Sequence, residues 1–244
     1  MERATQRTAQ RGTYGIGDRQ PSRFLGSLSE EARKELLSIG SPQQYPPGAK
    51  IFVEGAPGDC LMLLETGYVK VTRKRANGYE ALIAIRVGGD VLGEMAVIDD
   101  VPRLATVTAG EDIDVHVIQR RALQKFLGKY PETTLHIMRL SNRRLHSANT
   151  WRIVIGEFPV RVRLARVLAE LAENHGKPLG SRTLICIELT QTELAALVGS
   201  GVRAVQQELA RLRADGIVGT KYRETSVLKP DLLRAIGLLP PIGR

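Results

Sequence analysis

The chain has 244 residues, 43% apolar and 25% charged, which is ordinary for a globular protein of one or two domains and excludes disorder over the whole length. No apolar run approaches the roughly 18 to 20 residues that cross a bilayer, and no apolar signal segment opens the chain, so we expect a cytoplasmic protein without a membrane partner. The net charge of +9 favours a polyanionic partner such as nucleic acid, although a basic but inert surface would give the same total.

The amino-terminal half changes from tail to helix to strands. Residues 1–22 are polar and basic and predict a flexible tail. In the domain predicted for residues 23–129, Ser29 caps a short helix that runs to about Ile39. Short alternating segments then follow between Tyr45 and Ile118, separated by Gly, Pro and Asn turns that include Asn77-Gly78. This spacing predicts an all-β sandwich or barrel.

A long helix is predicted for residues 130–158. After a helical stretch from Arg121 to about Lys129, a segment without Gly or Pro follows Pro131 and runs to Ile155, and Phe158-Pro159 ends it as a hinge. A partial apolar seam predicts that this helix packs on a copy of itself in a homodimer, although it could instead lie along its own domain. The seam consists of Met138, Leu145, Ala148 and Ile155, interrupted by Ser141 and Arg152.

Residues 159–244 carry a local pattern typical of DNA-binding proteins. We predict a helix from Val160 to Glu173, a strand at 185–189, and a hairpin from segments near 217–222 and 226–228. Between them, Thr190 and Glu193 form a capping box, and Gly199 suits a sharp turn. The next helix, Gly201 to Ala214, has an apolar stripe of Val205, Leu209 and Leu212. This predicts a winged helix-turn-helix, the alternative being an ordinary helical hairpin.

The outer face of the second helix has side chains that can read bases. Arg203 can donate two hydrogen bonds to a guanine edge, and Gln207 can bond adenine. Thr192, Lys221 and Arg223 are candidates for phosphate contacts. The predicted DNA-binding residues are Gln191, Thr192, Gly201, Val202, Arg203, Gln206, Gln207 and Lys221.

A glycine–glutamate–arginine segment late in the β domain predicts an anion site. Gly93, Glu94, Met95 and Ala96 indicate a tight turn into a short helix, whose free N–H groups would attract an anion. Arg103 is predicted to begin a strand and could make a forked contact to a phosphate, while Glu94 could accept from a sugar hydroxyl. A structural ion pair between Glu94 and Arg103 is the alternative.

With these residues the chain resembles the cAMP receptor protein/FNR superfamily of bacterial transcription regulators, over about residues 23 to 236. The order of parts agrees, and the specific motifs are Pro47-Gly48, Gly55-x-x-Gly58-Asp59, Gly67-x-Val69, Gly88-x-x-Val91-Leu92-Gly93-Glu94 and Pro102-Arg103-x-Ala105-Thr106. The resemblance implies an α+β fold: a cyclic-nucleotide-binding β-roll, a long dimerisation helix and a winged helix-turn-helix. It further implies a homodimer that binds an effector and a palindromic operator, with RNA polymerase as a candidate partner.

Three departures from the family pattern bear on the ligand and the operator. Leu104 stands where cAMP-binding members usually have Ser or Ala, and Ala148-Asn149 stand where they have a Thr-Ser pair. The effector residues implied are Gly93, Glu94, Met95, Ala96, Arg103, Leu104 and Asn149, with cAMP as first choice and another nucleotide or no effector as alternatives. Val202, Arg203 and Gln207 replace the family's usual base readers, which predicts a different operator.

Other classes of function have less support in the sequence. Cys60 and Cys186 are too few for an iron–sulfur centre, and no nucleophile–base pair, metal cluster or P-loop is apparent, so neither catalysis nor metal binding is predicted. The remaining alternatives are a constitutive DNA-binding protein with a degenerate pocket, and a cyclic-nucleotide module that acts on a protein partner.

Overall fold

The computed structural model describes residues 24–76, 78, 80–221 and 224–240. The predicted tail at 1–22, Asn77 of the predicted turn and Arg223 lie outside the described residues. The first region and the helix that follows it contain α1 (Phe24–Ser27), α2 (Glu30–Ser38), β1 (Ser41–Tyr45), β2 (Lys50–Phe52), β3 (Cys60–Leu64), β4 (Tyr68–Lys74), β5 (Glu80–Val87), β6 (Val91–Leu92), α3 (Glu94–Asp99), β7 (Thr106–Ala109), β8 (Ile113–Gln119), α4 (Arg120–Lys129) and α5 (Pro131–Glu157). The second region contains α6 (Val160–His175), β9 (Gly176–Leu179), β10 (Arg182–Ile185), α7 (Gln191–Val198), α8 (Val202–Ala214), β11 (Val218–Lys221), β12 (Glu224–Val227) and α9 (Pro230–Ile236). Within the described ranges, no helix is long and apolar enough to cross a membrane.

The first region is a β-roll of two antiparallel sheets, with strand orders β1-β8-β3-β6 and β2-β7-β4-β5. Side chains that alternate along the strands meet between the sheets, and Leu64, Val69 and Val115 are at most 1% exposed there. Strand β1, with the sequence Ser-Pro-Gln-Gln-Tyr, was not predicted. It lies at an edge of its sheet and pairs only with β8, a position that tolerates its proline and its lack of apolar residues.

Helix α5 has the predicted extent and two different apolar faces. Pro131 occupies its first turn, where a missing N–H costs no hydrogen bond, and Phe158 ends it. One face packs inward through Ile137 and Leu140, which are 4% and 0% exposed. The seam predicted for dimer formation lies on another face, where Met138 and Leu145 are 56% and 61% exposed. In the described single chain, Met138 and Leu145 of that seam are therefore accessible to a partner.

The second region has the predicted helix-turn-helix, with one strand misplaced. Thr190 and Glu193 form the capping box at the start of α7, and Gly199 ends this helix with a φ of 67°. The prediction of a strand over 185–189 is wrong: β10 ends at Ile185, and it pairs with β9 and β12. The N–H of Cys186 still donates to the carbonyl of His175 at 2.8 Å, one residue beyond the paired strands, and the segment that follows leads into α7, which begins at Gln191.

Candidate effector site and nucleic-acid interface

A cavity of about 640 Å³ lies between the β-roll, α3, α5 and α7. Its size is within the range of small-molecule sites. Six of the seven predicted effector residues line it, namely Gly93, Glu94, Met95, Ala96, Arg103 and Leu104. Asn149 does not line the cavity of its own chain and is exposed on α5, whereas its neighbour Ala148 does line it.

The turn into α3 brings the backbone close to the arginine. Gly93 caps this helix with a φ of 75°, a conformation that favours glycine. A Cβ at this position would lie 2.5 Å from Nη1 of Arg103 and 2.8 Å from the Phe52 ring. A larger residue at Gly93 would therefore collide with the guanidinium and close this side of the cavity.

Arg103 is a buried cation whose partners are weak acceptors. The residue is 5% exposed, and its guanidinium carbon lies 3.7 Å from the centre of the Phe52 ring. Nη1 donates to the Gly93 carbonyl at 3.3 Å, and Nη2 donates to Sγ of Cys60 at 3.2 Å. The exposed carboxylate of Asp59 lies 3.7 Å from Nη2. A phosphate in the cavity would be a far stronger acceptor for this fork than a carbonyl or a sulfur. Arg103 was predicted to begin a strand, but β7 begins at Thr106.

Burial raises the pKa of the Cys60 thiol, although the positive charge of Arg103 acts in the opposite direction. The thiol therefore stays protonated near neutral pH and does not neutralise the guanidinium. The charge of Arg103 is then offset in part by exposed Asp59 at 3.7 Å and can attract an anionic ligand.

Glu94 pairs with a residue of the long helix that the sequence analysis did not single out. Glu94 is 3% exposed, and its Oε1 accepts from Nη1 of Arg144 at 2.5 Å. Arg144 also donates to the Val91 carbonyl at 3.1 Å and lies 3.8 Å from Asp90. Among the described residues, Glu94 pairs with Arg144 and not with Arg103, the alternative raised from the sequence. Arg144 thus ties α5 to the wall of the cavity through the very carboxylate that was predicted to accept from a sugar.

The other side of the cavity is apolar and open at its rim. Met95 and Leu104 are 47% and 44% exposed, and both line the cavity together with Ala148. Apolar contacts of this kind suit the flat face of a purine or pyrimidine better than its hydrogen-bonding edge. Arg144, Ser147 and Trp151, spaced as neighbours on one face of α5, also line the cavity.

The predicted DNA-binding residues gather at one end of the helix-turn-helix. Gln191 and Thr192 are exposed in the first turn of α7, and Gly201 caps α8. Arg203, Gln206 and Gln207 are exposed along α8, and exposed Lys221 ends β11 in the wing. Val202 was predicted on the outer face, but it is partly buried against the core of this domain, so it is a poor candidate for base contact.

Two arginines of α6 fix the position of the helix-turn-helix. Arg163 is 8% exposed, and its Nη1 donates to the Gly199 carbonyl at 2.9 Å, in the turn between α7 and α8. Burial lowers the pKa of Arg163. Arg161 lies 2.8 Å from Asp215 and 3.8 Å from Glu208, at the far end of α8. The exposed face of α8 is therefore presented from a fixed support. Within the described ranges, no group of three or more His, Cys, Asp and Glu could hold a metal ion.

Comparison with known proteins identifies the family. A cyclic nucleotide-binding domain model matches residues 42–130, and a Crp-like helix-turn-helix domain model matches residues 162–236. A CRP-like cAMP-activated global transcriptional regulator of Mycobacterium tuberculosis is 32% identical over 171 residues, which are 69% of this chain and 75% of that protein. The chain belongs to the CRP-like family of transcription regulators. The Cyclic AMP receptor protein of Thermus thermophilus is 29% identical over 213 residues, 85% of this chain and 95% of that one.

Structures of CRP-like regulators share the fold. The c-di-GMP responsive global regulator CLP of Xanthomonas campestris has a TM-score of 0.71 and 20% identity, covering 82% of this chain and 99% of that one. A cAMP-dependent protein kinase regulatory subunit of Yarrowia lipolytica is also similar, 34% identical over 105 residues, 43% of this chain and 27% of that one. The predictions of fold class, family, nucleotide-binding domain and DNA-binding motif are confirmed. The CRP-like relatives are transcription regulators and not enzymes.

Proposed function

We propose that this CRP-like regulator is a homodimer that binds a palindromic operator, and that a cyclic nucleotide in the β-roll raises its affinity for DNA. The observation that supports a nucleotide as effector is the position of Arg103. Its guanidinium is buried beside the Gly93 turn, and its hydrogen bonds go to weak acceptors. In this proposal residues 23–129 bind the effector, 130–158 form the dimer helix and hinge, and 159–244 bind DNA. The regulator acts in the cytoplasm, where RNA polymerase is a candidate partner.

The proposed mode of binding for a cyclic nucleotide uses the residues that line the cavity. Arg103 would hold the cyclic phosphate with its two terminal nitrogens, and Glu94 would accept from a sugar hydroxyl while Arg144 holds that carboxylate in place. The base would lie against Met95, Leu104 and Ala148. Asn149 is exposed on α5, so it would reach a base only across the dimer. No covalent cofactor is needed.

cAMP is the first choice of effector. Two sequence relatives are named for cAMP, and both cover more than two thirds of this chain. The likeness to a c-di-GMP responsive regulator is at 20% identity and supports only the fold. Ala148 stands where cAMP-binding members have a polar residue that contacts the base, so we expect binding without strong selectivity for the base.

DNA recognition follows from the exposed face of α8 and the dimer. Two recognition helices related by a two-fold axis would enter successive major grooves about 34 Å apart, which predicts a palindrome with half-sites one helical turn apart. Arg203 is the residue best suited to guanine, and Gln207 to adenine. Lys221 of the wing would contact phosphate.

Arg203 is expected to contact a base directly in each half-site. Operators are selected from a random palindromic library by the purified protein with cAMP present. Arg203→Ala should weaken binding to the selected operator by about 5- to 150-fold for each half-site, corresponding to roughly 1 to 3 kcal/mol for each of the dimer's two base contacts, and relax selectivity at one base pair in each half-site. Fluorescence anisotropy measures the affinity.

Arg211→Ala is the matched control, because Arg211 is exposed near the other end of α8 and pairs with Glu208 at 2.6 Å. It should leave base selectivity unchanged. Lys221→Ala should weaken all sequences alike and reduce the steepness of log affinity against log salt by about 2, or about 1 for each subunit of the dimer. If no sequence is selected, or if binding has no salt dependence, the DNA assignment fails and a protein partner becomes the better explanation.

A further inference from the structure

The first helix of the helix-turn-helix forms part of the wall of the effector cavity. Ala196 and Leu197 of α7 line the cavity beside Trp151 and Ile155 at the end of α5. Gly199, which ends α7, lies so close to α5 that a Cβ there would be 2.7 Å from Cδ1 of Ile155. One helix of the DNA-binding domain therefore borders the same space as Arg103 and Glu94.

A partly buried ion pair joins this helix to the β-roll. Nζ of Lys70, on β4, lies 2.8 Å from Oε1 and 3.0 Å from Oε2 of Glu193, on α7. The two side chains are only 18% and 22% exposed. The same carboxylate accepts from the N–H of Thr190 at 2.7 Å in the capping box, so Glu193 serves both the helix and the contact between domains. Salt screens such a partly buried pair less than a surface pair.

Polar and apolar contacts surround the pair. The N–H of Glu188 donates to the Tyr68 hydroxyl at 3.3 Å. Desolvation is the main cause that raises the pKa of Tyr68, so the hydroxyl remains protonated at neutral pH. Tyr68 and Leu82 of the β-roll, 4% and 2% exposed, belong to the same apolar cluster as Leu194 and the rest of the DNA-binding core. The contact is thus a packed interface and not a single surface pair.

We propose that the Lys70–Glu193 pair is the centre of a lock that holds the DNA-binding domain against the β-roll in an arrangement of low DNA affinity. The inference rests on the proposed function, in which the nucleotide raises DNA affinity. The nucleotide opens the lock because it fills the space that Ala196 and Leu197 border. Lys70 is a positioning residue: it touches neither the nucleotide nor DNA.

The position of the Lys70–Glu193 pair supports a lock that lowers DNA affinity while it is closed. Gln191, a predicted DNA-binding residue, and Thr192, a predicted phosphate contact, immediately precede Glu193 in the first turn of α7. In a helix-turn-helix, the first helix crosses the DNA backbone while the second enters the major groove. The turn of α7 that must approach phosphate is therefore the turn that Lys70 ties to the β-roll. Release of Glu193 frees this turn to follow the DNA.

The test uses the full chain and the selected operator. Lys70→Gln should tighten DNA binding without nucleotide by about 3- to 10-fold, since a partly buried pair of charged hydrogen bonds is lost. With saturating cAMP the affinity should stay within about twofold of wild type, because the lock is then open. Simple electrostatics predicts the opposite sign, since removal of a cation weakens attraction to phosphate. The matched control is Lys50→Gln, at a 3.7 Å surface pair with Glu80 on β2 and β5, and it should not tighten DNA binding.

A second variant tests the other half of the pair. Glu193→Gln keeps a side chain that serves in a capping box, so α7 retains its cap while the ion pair is lost. It should tighten DNA binding without nucleotide as Lys70→Gln does, and the double variant should show no further gain, which a double-mutant cycle measures. Trp151, the chain's only tryptophan, borders the cavity and packs on the DNA-binding core, so its fluorescence should shift in both variants.

The lock is overturned if Lys70→Gln without nucleotide binds DNA as the wild type does or more weakly. It is also overturned if both single variants tighten binding equally with and without cAMP. These outcomes are separate from failure of the proposed function, which would appear as wild-type DNA binding that cAMP does not change. The comparison of Lys70→Gln with wild type in the absence of nucleotide decides the lock in either case.

Discussion

Arg103→Ala should weaken cAMP binding by about 100-fold or more, as measured by isothermal titration calorimetry. The guanidinium is 5% exposed, so its hydrogen bonds to a phosphate would form in a poorly hydrated site, where charge-assisted bonds are strong. Two such bonds at about 1.5 kcal/mol each correspond to a factor of about 100 or more in the dissociation constant. Alanine would also remove the contact between the guanidinium and the Phe52 ring.

Two further variants separate loss of the ligand contact from general damage. Arg73→Ala removes the same charge from the cavity lining, where Arg73 is 61% exposed and lies 3.6 Å from Glu54, and should change cAMP affinity by no more than about threefold. Arg103→Lys keeps the charge but not the fork and should give an intermediate loss. A thermal unfolding curve for each variant confirms that the protein is folded. If folded Arg103→Ala bound cAMP within about fivefold of wild type, Arg103 would not be the phosphate site.

Met138→Glu should dissociate the homodimer and abolish tight operator binding. Met138 is 56% exposed in the single chain and lies seven residues before Leu145, which is 61% exposed, so both face the same side of α5. In a two-fold dimer each substituted residue occurs twice near the axis, where two carboxylates would be buried and would repel each other. We expect the dimer dissociation constant to rise by about 100-fold or more, measured by analytical ultracentrifugation.

The matched control is Arg139→Gln, which changes the net charge by the same amount at the neighbouring exposed residue outside the seam. It should leave the dimer and operator affinity unchanged. Met138→Glu should still bind cAMP if Arg103 and Glu94 of one chain suffice. A Met138→Glu protein that remains dimeric at micromolar concentration would show that the seam is not the interface, and that α5 only supports its own β-roll.

The sequence predicted those helices and turns whose ends are fixed by residues close to them in the chain. The capping box of Thr190 and Glu193 and the glycine turn at Gly199 fix α7 from both ends, so the helix-turn-helix was predicted closely. Strand β1 was missed because its partner β8 lies about 70 residues away and its own sequence has no alternation. The strand at 185–189 was misplaced because its alternation was attributed to a sheet, whereas Ile187 is buried on the approach to α7.

In the candidate site too, residues close together in the sequence could be predicted, whereas residues that only the fold brings together could not. Gly93, Glu94 and Arg103 lie within eleven consecutive positions of the printed sequence, and a resemblance to known motifs placed them together. Arg144 is 50 residues from its partner Glu94 and 16% exposed, and only the packing of α5 on the β-roll brings the two together. The wall formed by Ala196 and Leu197 depends on contact between two domains, which no pattern within either domain contains.

The most direct test of nucleotide control is DNA affinity with and without cAMP, measured by fluorescence anisotropy on the selected palindrome at fixed salt. We expect cAMP to raise the affinity by about 5- to 150-fold, and operator DNA to raise the affinity for cAMP by the same factor, since coupling between two sites is reciprocal. Coincident curves, with tight binding in both, would contradict this control and identify a constitutive DNA-binding protein with a cavity that does not regulate it.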